Sequence, residues 1–375
     1  MILSGVALLL SAIACSGVAT GITNGFTKIT DAITQPSARE IYQREFKNDT
    51  TSYNAWAAAY TTALQDSTLV KLPYGEKGTF VPNSNVAYTY TMDVTEGEVL
   101  IAGVTKDSLS RVFIDIYGEG KQRPLLSNER NEDVLTYTPQ SSGVYKVVMQ
   151  PEISAASAFF ISITTKPLYS FPVSGKGNSA IMSFWGMERD GGTRTHEGID
   201  IFAKKGTPVI AAADGYITHT GNHGLGGKQV WLRDGLLGRS LYYAHLDSIA
   251  VTAGTRVKTG SVLGFVGNTG NAKFTPPHLH FGIYTGYGAI DPLPFVFSTP
   301  NVTPAQYQSS FKPGTLRAKT KGNLRQGPDT SYATIGGVSA GQALTLLGQH
   351  NSWLHIKTAS GQQAFVHKTL VAASR

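Results

Sequence analysis

The chain has 375 residues, 41% of them hydrophobic, enough for two or three ordinary cores. Only 15% are charged, the formal net charge is +7, and no base-reading motif accompanies that excess, which sets nucleic-acid recognition aside. The single cysteine excludes an internal disulfide, while 41 glycines and 17 prolines among short apolar alternations point to a mainly β protein.

Met1 to Thr27 carries no charge, and Ile2 to Ala14 is apolar enough to be a signal-peptide core, although no basic residue precedes it. Ala12-Ile13-Ala14 fits an A-x-A cleavage site, and Cys15, directly after it, resembles a lipoprotein attachment site with Ala12 where Leu is usual. Residues 1–23 are therefore expected to be a signal or lipoprotein-like segment. The chain would then be exported to the cell envelope, as a periplasmic protein or an outer-membrane lipoprotein attached through lipidated Cys15. Cleavage without lipidation would make it secreted. A spanning anchor is the alternative, but Ser, Thr, Gly and Asn between Ser16 and Asn24 dilute the run.

Residues 24–78 are expected to form a helical segment. Between Gln35 and Val70, Ile41, Tyr42, Glu45 and Phe46, then Tyr53, Trp56, Tyr60 and Leu64, recur at helical steps. Asp49-Thr50-Thr51-Ser52 offers a break and a cap between two helices. The aromatic stripe reads as a face packed on the next domain. In residues 79–168, the segments Val86 to Asp93, Glu98 to Val104, Val112 to Tyr117, Val134 to Tyr137, Val144 to Met149 and Phe159 to Thr164 predict a β-sandwich. LTYTPQSSGVYKVVM, residues 135 to 149, resembles the pre-peptidase C-terminal-like domains that accompany secreted hydrolases.

Residues 169–312 hold the chemistry-bearing set: His196, Asp200, His245, His278 and His280. Two of them come as H-E-G-I-D and two as H-L-H, and even spacing puts paired side chains on one face of a strand. Ile199 and Ile201, then Phe281 and Ile283, continue the alternation. Two imidazoles and a carboxylate make an open zinc site, and the ligands are taken as His196, Asp200 and His280. His245, in Leu241-Tyr242-Tyr243-Ala244-His245-Leu246, and His278 then stand beside the metal. Either could move a proton or steady an oxyanion, and the sequence leaves those roles undivided. His219 and His223 flank the stretch Gly221 to Gly227, which reads as a flexible loop, so both are expected to be solvated loop residues.

The stretch from Phe171 to Phe297 resembles a lysostaphin-type zinc metallopeptidase domain. RDGGTRTHEGIDIFAKKGTPVIAAADG, SLYYAHLD and AGTRVKTGSVLGFVGNTGNAKFTPPHLHFGIY carry the resemblance. It implies an antiparallel-sheet fold, Zn2+ held by His196, Asp200 and His280, and His245 and His278 as non-ligand catalytic histidines. It further implies hydrolysis of a peptide cross-link in bacterial peptidoglycan by metal-activated water. Some members of that family have lost ligands and regulate other wall hydrolases, but no ligand position is substituted here. A lipoyl-like carrier, suggested by the ADGYI and AGTRVKTGSVLG phrasing, would need a modified lysine at a hairpin tip. Lys258 instead lies in an ordinary V-K-T-G strand start.

Residues 313–375 resemble a bacterial SH3-like domain, a small barrel, through NLRQGP at 323 to 328, Gly348, WLHI at 353 to 356 and GQQAFV at 361 to 366. From Gly314 onward there are seven Lys or Arg against Asp329 alone, a charge of +6. Such a surface attracts an anionic polymer, which implies wall binding. His350, His355 and His367 lie in this module, and the sequence places it apart from the zinc.

Overall fold

The computed structural model describes residues 36–46, 50–107, 109–129, 131–308 and 311–373. Residues 1–23, Cys15 among them, lie outside the described residues, so the export and lipidation readings do too. Among the described residues no helix is long and apolar enough to cross a membrane.

Two short helices open the described chain. Ala38–Gln43 starts at a capping box, in which the Ser37 hydroxyl accepts from the Glu40 backbone and the Glu40 carboxylate accepts from the Ser37 backbone. Thr50–Gln65 follows and ends five residues short of the helical expectation. Tyr74–Thr79, all but its last residue inside the stretch expected to be helical, is a strand. Its KLPYG approach carries a proline and a glycine, which disfavour helix, and its partner is the distant Ala158–Pro167.

That strand completes a sandwich. One sheet runs Tyr74–Thr79, Ala158–Pro167, Glu98–Lys106, Val134–Tyr137, and the other runs Tyr88–Val94, Gly143–Pro151, Val112–Gly118, Leu126–Ser127. Period-two alternation explains both faces of the strand Val112–Gly118. Val112, Ile114 and Ile116 fill the sandwich core, while Phe113 and Tyr117 turn outward to meet the helices. Phe113 contacts Tyr42 and Trp56 at ring-centroid distances of 5.0 and 5.3 Å. Between them Asp115, 3% exposed, accepts hydrogen bonds from Arg39 at 3.0 Å and Tyr60 at 2.8 Å. A buried carboxylate without such partners would cost several kcal/mol, roughly, in lost hydration.

The peptidase-like body is a ten-stranded antiparallel sheet whose middle runs Gly215–His223, Gly227–Asp234, Ser240–Ile249, His278–Thr285, Ile199–Phe202. Leu279, Phe281 and Ile283 enter its core, which leaves His278 and His280 on the opposite face. Arg239 ties this body to the sandwich by pairing with Glu96 at 2.5 Å, and it lies over Phe295 of its own core. Gly97 sits beneath that same ring, where a Cβ would come within 2.5 Å of it. The stretch from Gly221 to Gly227, expected to be a loop, is a hairpin: strands reach His223 and resume at Gly227, so His219 and His223 lie on a strand. Gly224 and Gly227, both at positive φ, allow that tight turn.

The C-terminal barrel is not detached from the rest. Its strand Ala343–His350 pairs with Tyr74–Thr79, with Lys77 opposite Gln349 and Gly78 opposite Gly348, so one sheet crosses both bodies. The junction needs both glycines, since a Cβ at Gly348 would lie 2.0 Å from Glu76 and one at Gly78 would lie 2.6 Å from the Leu347 carbonyl. Glu76, wholly buried, accepts from Tyr74 at 2.5 Å and Tyr90 at 3.1 Å, and pairs with the equally buried His355 at 3.1 Å. This pairing also covers an open sandwich edge.

Candidate metal centre

A groove of about 900 Å³ on the outer face of the ten-stranded sheet is lined by all five residues singled out from the sequence: His196, Asp200, His245, His278 and His280. The H-L-H pair arrives there as the alternation requires, from one strand. The H-E-G-I-D pair arrives differently. His196 stands between the strands Arg194–Thr195 and Ile199–Phe202, and its backbone pairs with Gly186 and Met187, so only Asp200 is on the strand. Gly198 makes the bend work: a Cβ there would come within 2.6 Å of the His280 ring and of the Phe281 carbonyl.

His196 Nε2, Asp200 Oδ1 and His280 Nδ1 meet at separations of 3.0, 3.0 and 3.1 Å. Among the described residues they form a group of three metal-binding side chains whose ligand atoms lie close enough together to share one ion. The donor set fits such an ion. His196 Nδ1 lies 2.9 Å from the Phe184 carbonyl and donates to it, which leaves the Nε2 lone pair facing the cluster. Tetrahedral zinc with bonds of about 2.0–2.1 Å would separate its ligand atoms by roughly 3.3 Å, close to what the three side chains already hold. Burial raises the Asp200 pKa, but the adjacent His196 and His280 imidazoles outweigh it and hold the carboxylate well below the usual range.

The other two imidazoles flank this trio with their Nδ1 atoms anchored. His245 donates to the Thr269 carbonyl at 2.9 Å, and His278 to the Pro276 carbonyl at 2.9 Å, with His278 Nε2 3.9 Å from Asp200. Strict alternation would send His245 into the core beside Leu241 and Tyr243. A left-handed φ of 62° at His245 turns its ring to the groove instead, a strained backbone that sequence periodicity cannot reveal. Burial, then the neighbouring His280 and His278, lower its pKa to about 4, so its imidazole is neutral at ordinary pH.

Sequence reasoning missed Arg189, whose guanidinium reaches Asp200 Oδ2 at 3.1 Å and also bonds Ser183. It missed Tyr242 as a wall of the groove, although the Tyr-Tyr tandem hinted that one of the pair faces outward. His350, His355 and His367 are in the C-terminal barrel and not among the groove residues.

Residues 194–292 match Peptidase family M23, and residues 320–372 match the bacterial SH3 domain. The chain carries a lysostaphin-type M23 peptidase domain. It is 36% identical over 138 residues to the L-Ala–D-Glu endopeptidase of Bacillus subtilis, covering 34% of this chain and 42% of that protein. To the DD-carboxypeptidase/endopeptidase Mpg of Neisseria meningitidis serogroup B it is 41% identical over 112 residues, covering 30% and 25%. The catalytic domain of lysostaphin from Staphylococcus simulans is 36% identical over 30% of this chain and 89% of that one, with a TM-score of 0.28. The chain thus spans less than half the length of these two curated relatives. All five histidine and aspartate positions, the strained His245 among them, fall inside the matched M23 stretch.

Proposed function

We propose that this chain is an exported zinc metalloendopeptidase that hydrolyses peptide cross-links of bacterial peptidoglycan. The observation that carries the reading is the meeting of His196, Asp200 and His280 donor atoms within 3.1 Å beside two further imidazoles in one groove. In this reading those three hold Zn2+, and His245 and His278 are the catalytic histidines. When bound, zinc supplies Lewis acidity, polarising the scissile carbonyl and lowering the pKa of a water to about 7. The chain's own residues supply the rest. His245 and His278 each spend Nδ1–H on a backbone carbonyl, so the nitrogen either ring turns toward a proton is Nε2. After accepting a proton from the attacking water, such a ring is a cation able to protonate the departing amine. Arg189 fixes Oδ2 of Asp200, which keeps Oδ1 turned toward His196 and His280.

The wider organisation follows the same reading. Residues 1–23 direct export and, through Cys15, attachment; residues 24–168 support the catalytic body at 169–312; and the basic 313–375 module binds the wall. The names of the similar proteins specify different bonds, so the bond cut here is to be read from products. Incubation of purified wall fragments with the zinc-loaded protein, followed by mass spectrometry, should show new amino and carboxyl ends at one cross-link bond. His245→Ala should retain zinc and lose about 10²–10⁴-fold in rate, the range for removing a general acid or base. Unchanged fragments from the zinc-loaded wild type would refute the hydrolase reading and favour a wall-binding regulator.

A further inference from the structure

Two imidazoles that this chemistry does not use share the groove face of the sheet. Cross-strand pairing aligns His219, Trp231, Tyr242 and Gly282 in one row, and Tyr242 lines the groove. His223 follows His219 by four residues along the strand, so both rings project from one side, and their Nε2 atoms are 3.0 Å apart. Gly221 between them keeps that space open: a Cβ there would come within 3.2 Å of His219 Nε2 and 3.4 Å of His223 Nε2. Behind the exposed pair sits Gln229, only 4% exposed, whose amide nitrogen is 2.8 Å from His223 Nδ1 and whose amide oxygen accepts from the Tyr242 hydroxyl. Gly226 lets that last pair close, since its Cβ would fall 1.8 Å from the Tyr242 oxygen.

We propose that His219 and His223 form a second site for a borderline divalent cation of the zinc class, completed by water, and that Gln229 transmits its occupancy to Tyr242 in the groove. The first part rests on geometry. Two nitrogens bound to one tetrahedral zinc at about 2.0–2.1 Å would be separated by roughly 3.3 Å, so the pair needs to open by only about 0.3 Å. Neither ring is committed to the core, and both can approach an ion from solvent while keeping water in the remaining positions. Borderline imidazole nitrogen selects Zn2+, Cu2+ or Ni2+ over Mg2+ or Ca2+.

The second part follows from the tautomer that an ion demands. The Gln229 amide nitrogen is 2.8 Å from His223 Nδ1 and 3.2 Å from its Nε2; with the shorter contact as the hydrogen bond, Nδ1 accepts and a neutral His223 ring carries its proton on Nε2, facing His219. An ion at Nε2 takes the lone pair there, so the ring's single proton moves by exchange with solvent from Nε2 to Nδ1, with no net release, and on Nδ1 it needs an acceptor. A half-turn of the Gln229 amide supplies it, bringing oxygen to His223 and nitrogen to Tyr242. The Tyr242 hydroxyl changes from donor to acceptor, and its own hydrogen becomes free to point into the groove. An ion outside the reaction centre thereby changes a hydrogen-bonding group inside it.

Titration of metal-free full-length protein with Zn2+, followed by calorimetry, tests the site separately from the proposed catalytic one. Wild type should take up two equivalents. H219Q/H223Q, altered only at exposed side chains, should take up one, and H196A should lose the stronger equivalent and keep the weaker. A single equivalent in wild type that H219Q/H223Q retains, or two in H219Q/H223Q, would overturn the second site. Loss of the stronger equivalent from neither variant would instead count against the catalytic metal reading. The amide 15N resonance of Gln229 should shift with the second equivalent in wild type and stay fixed in H219Q/H223Q; an unmoved resonance at saturation would overturn the link to Tyr242.

Discussion

Gly198→Ala is a small change with a calculable consequence for the metal centre. The added Cβ would lie 2.6 Å from His280 Cε1, 2.7 Å from its Nε2 and 2.6 Å from the Phe281 carbonyl oxygen, where contacts below 3.0 Å do not occur. At least 0.4 Å must therefore be opened, and the backbone oxygen, held in the strand pair Ile199 with Phe281, is the less yielding neighbour. The ring of a proposed ligand must move instead, by about the 0.5 Å tolerance within which such sites work. Disturbing the support of a ligand typically costs about 10–100-fold in metal affinity, and overpacking of this kind costs about 1–3 kcal/mol in stability. The assay is competition for zinc against a chromophoric chelator, with thermal unfolding alongside. Gly286→Ala, where a Cβ would meet open space, is the control and should change neither. Zinc affinity in Gly198→Ala equal to that of wild type would show that His280 does not need its observed position to hold the ion.

Two further outcomes follow from other parts of the molecule. His355→Ala leaves Glu76 buried without its imidazole partner, so stability should fall by about 3–5 kcal/mol, read by denaturant unfolding, and limited proteolysis should release the C-terminal barrel; unchanged resistance would mean that the barrel is held by other contacts. In the metal-free protein the His245 imidazole should titrate near 4, against an ordinary 6.5, in a nuclear magnetic resonance pH series. Because the unfolded chain then binds more protons between those values, this group's contribution to stability should rise with pH from 4 to 6.5 and level off above; a midpoint near 6.5 would refute the burial argument.

What the sequence determined by itself was whatever repeats locally. Alternation located the sandwich strands to within a few residues and put His278 and His280 on one face, because side-chain direction in a strand depends only on parity. The helical stripe of Tyr42, Trp56 and Tyr60 announced a packing face in the same way, through the helical repeat, and the motifs singled out the four histidines and the aspartate that line the groove. Parity failed where the backbone leaves the regular strand. His196 reaches Asp200 around a glycine bend, and His245 faces the groove through a left-handed φ. Tertiary structure alone decided the partners of these groups. Phe184, Thr269 and Pro276 carbonyls set the tautomers, and Arg189 steadies Asp200. It also decided that the C-terminal barrel shares a sheet with the sandwich through Glu76 and His355, 279 positions apart in the chain. A hydrogen bond depends on distance and direction in space, and neither is encoded in the spacing of residues that meet only after the chain has folded.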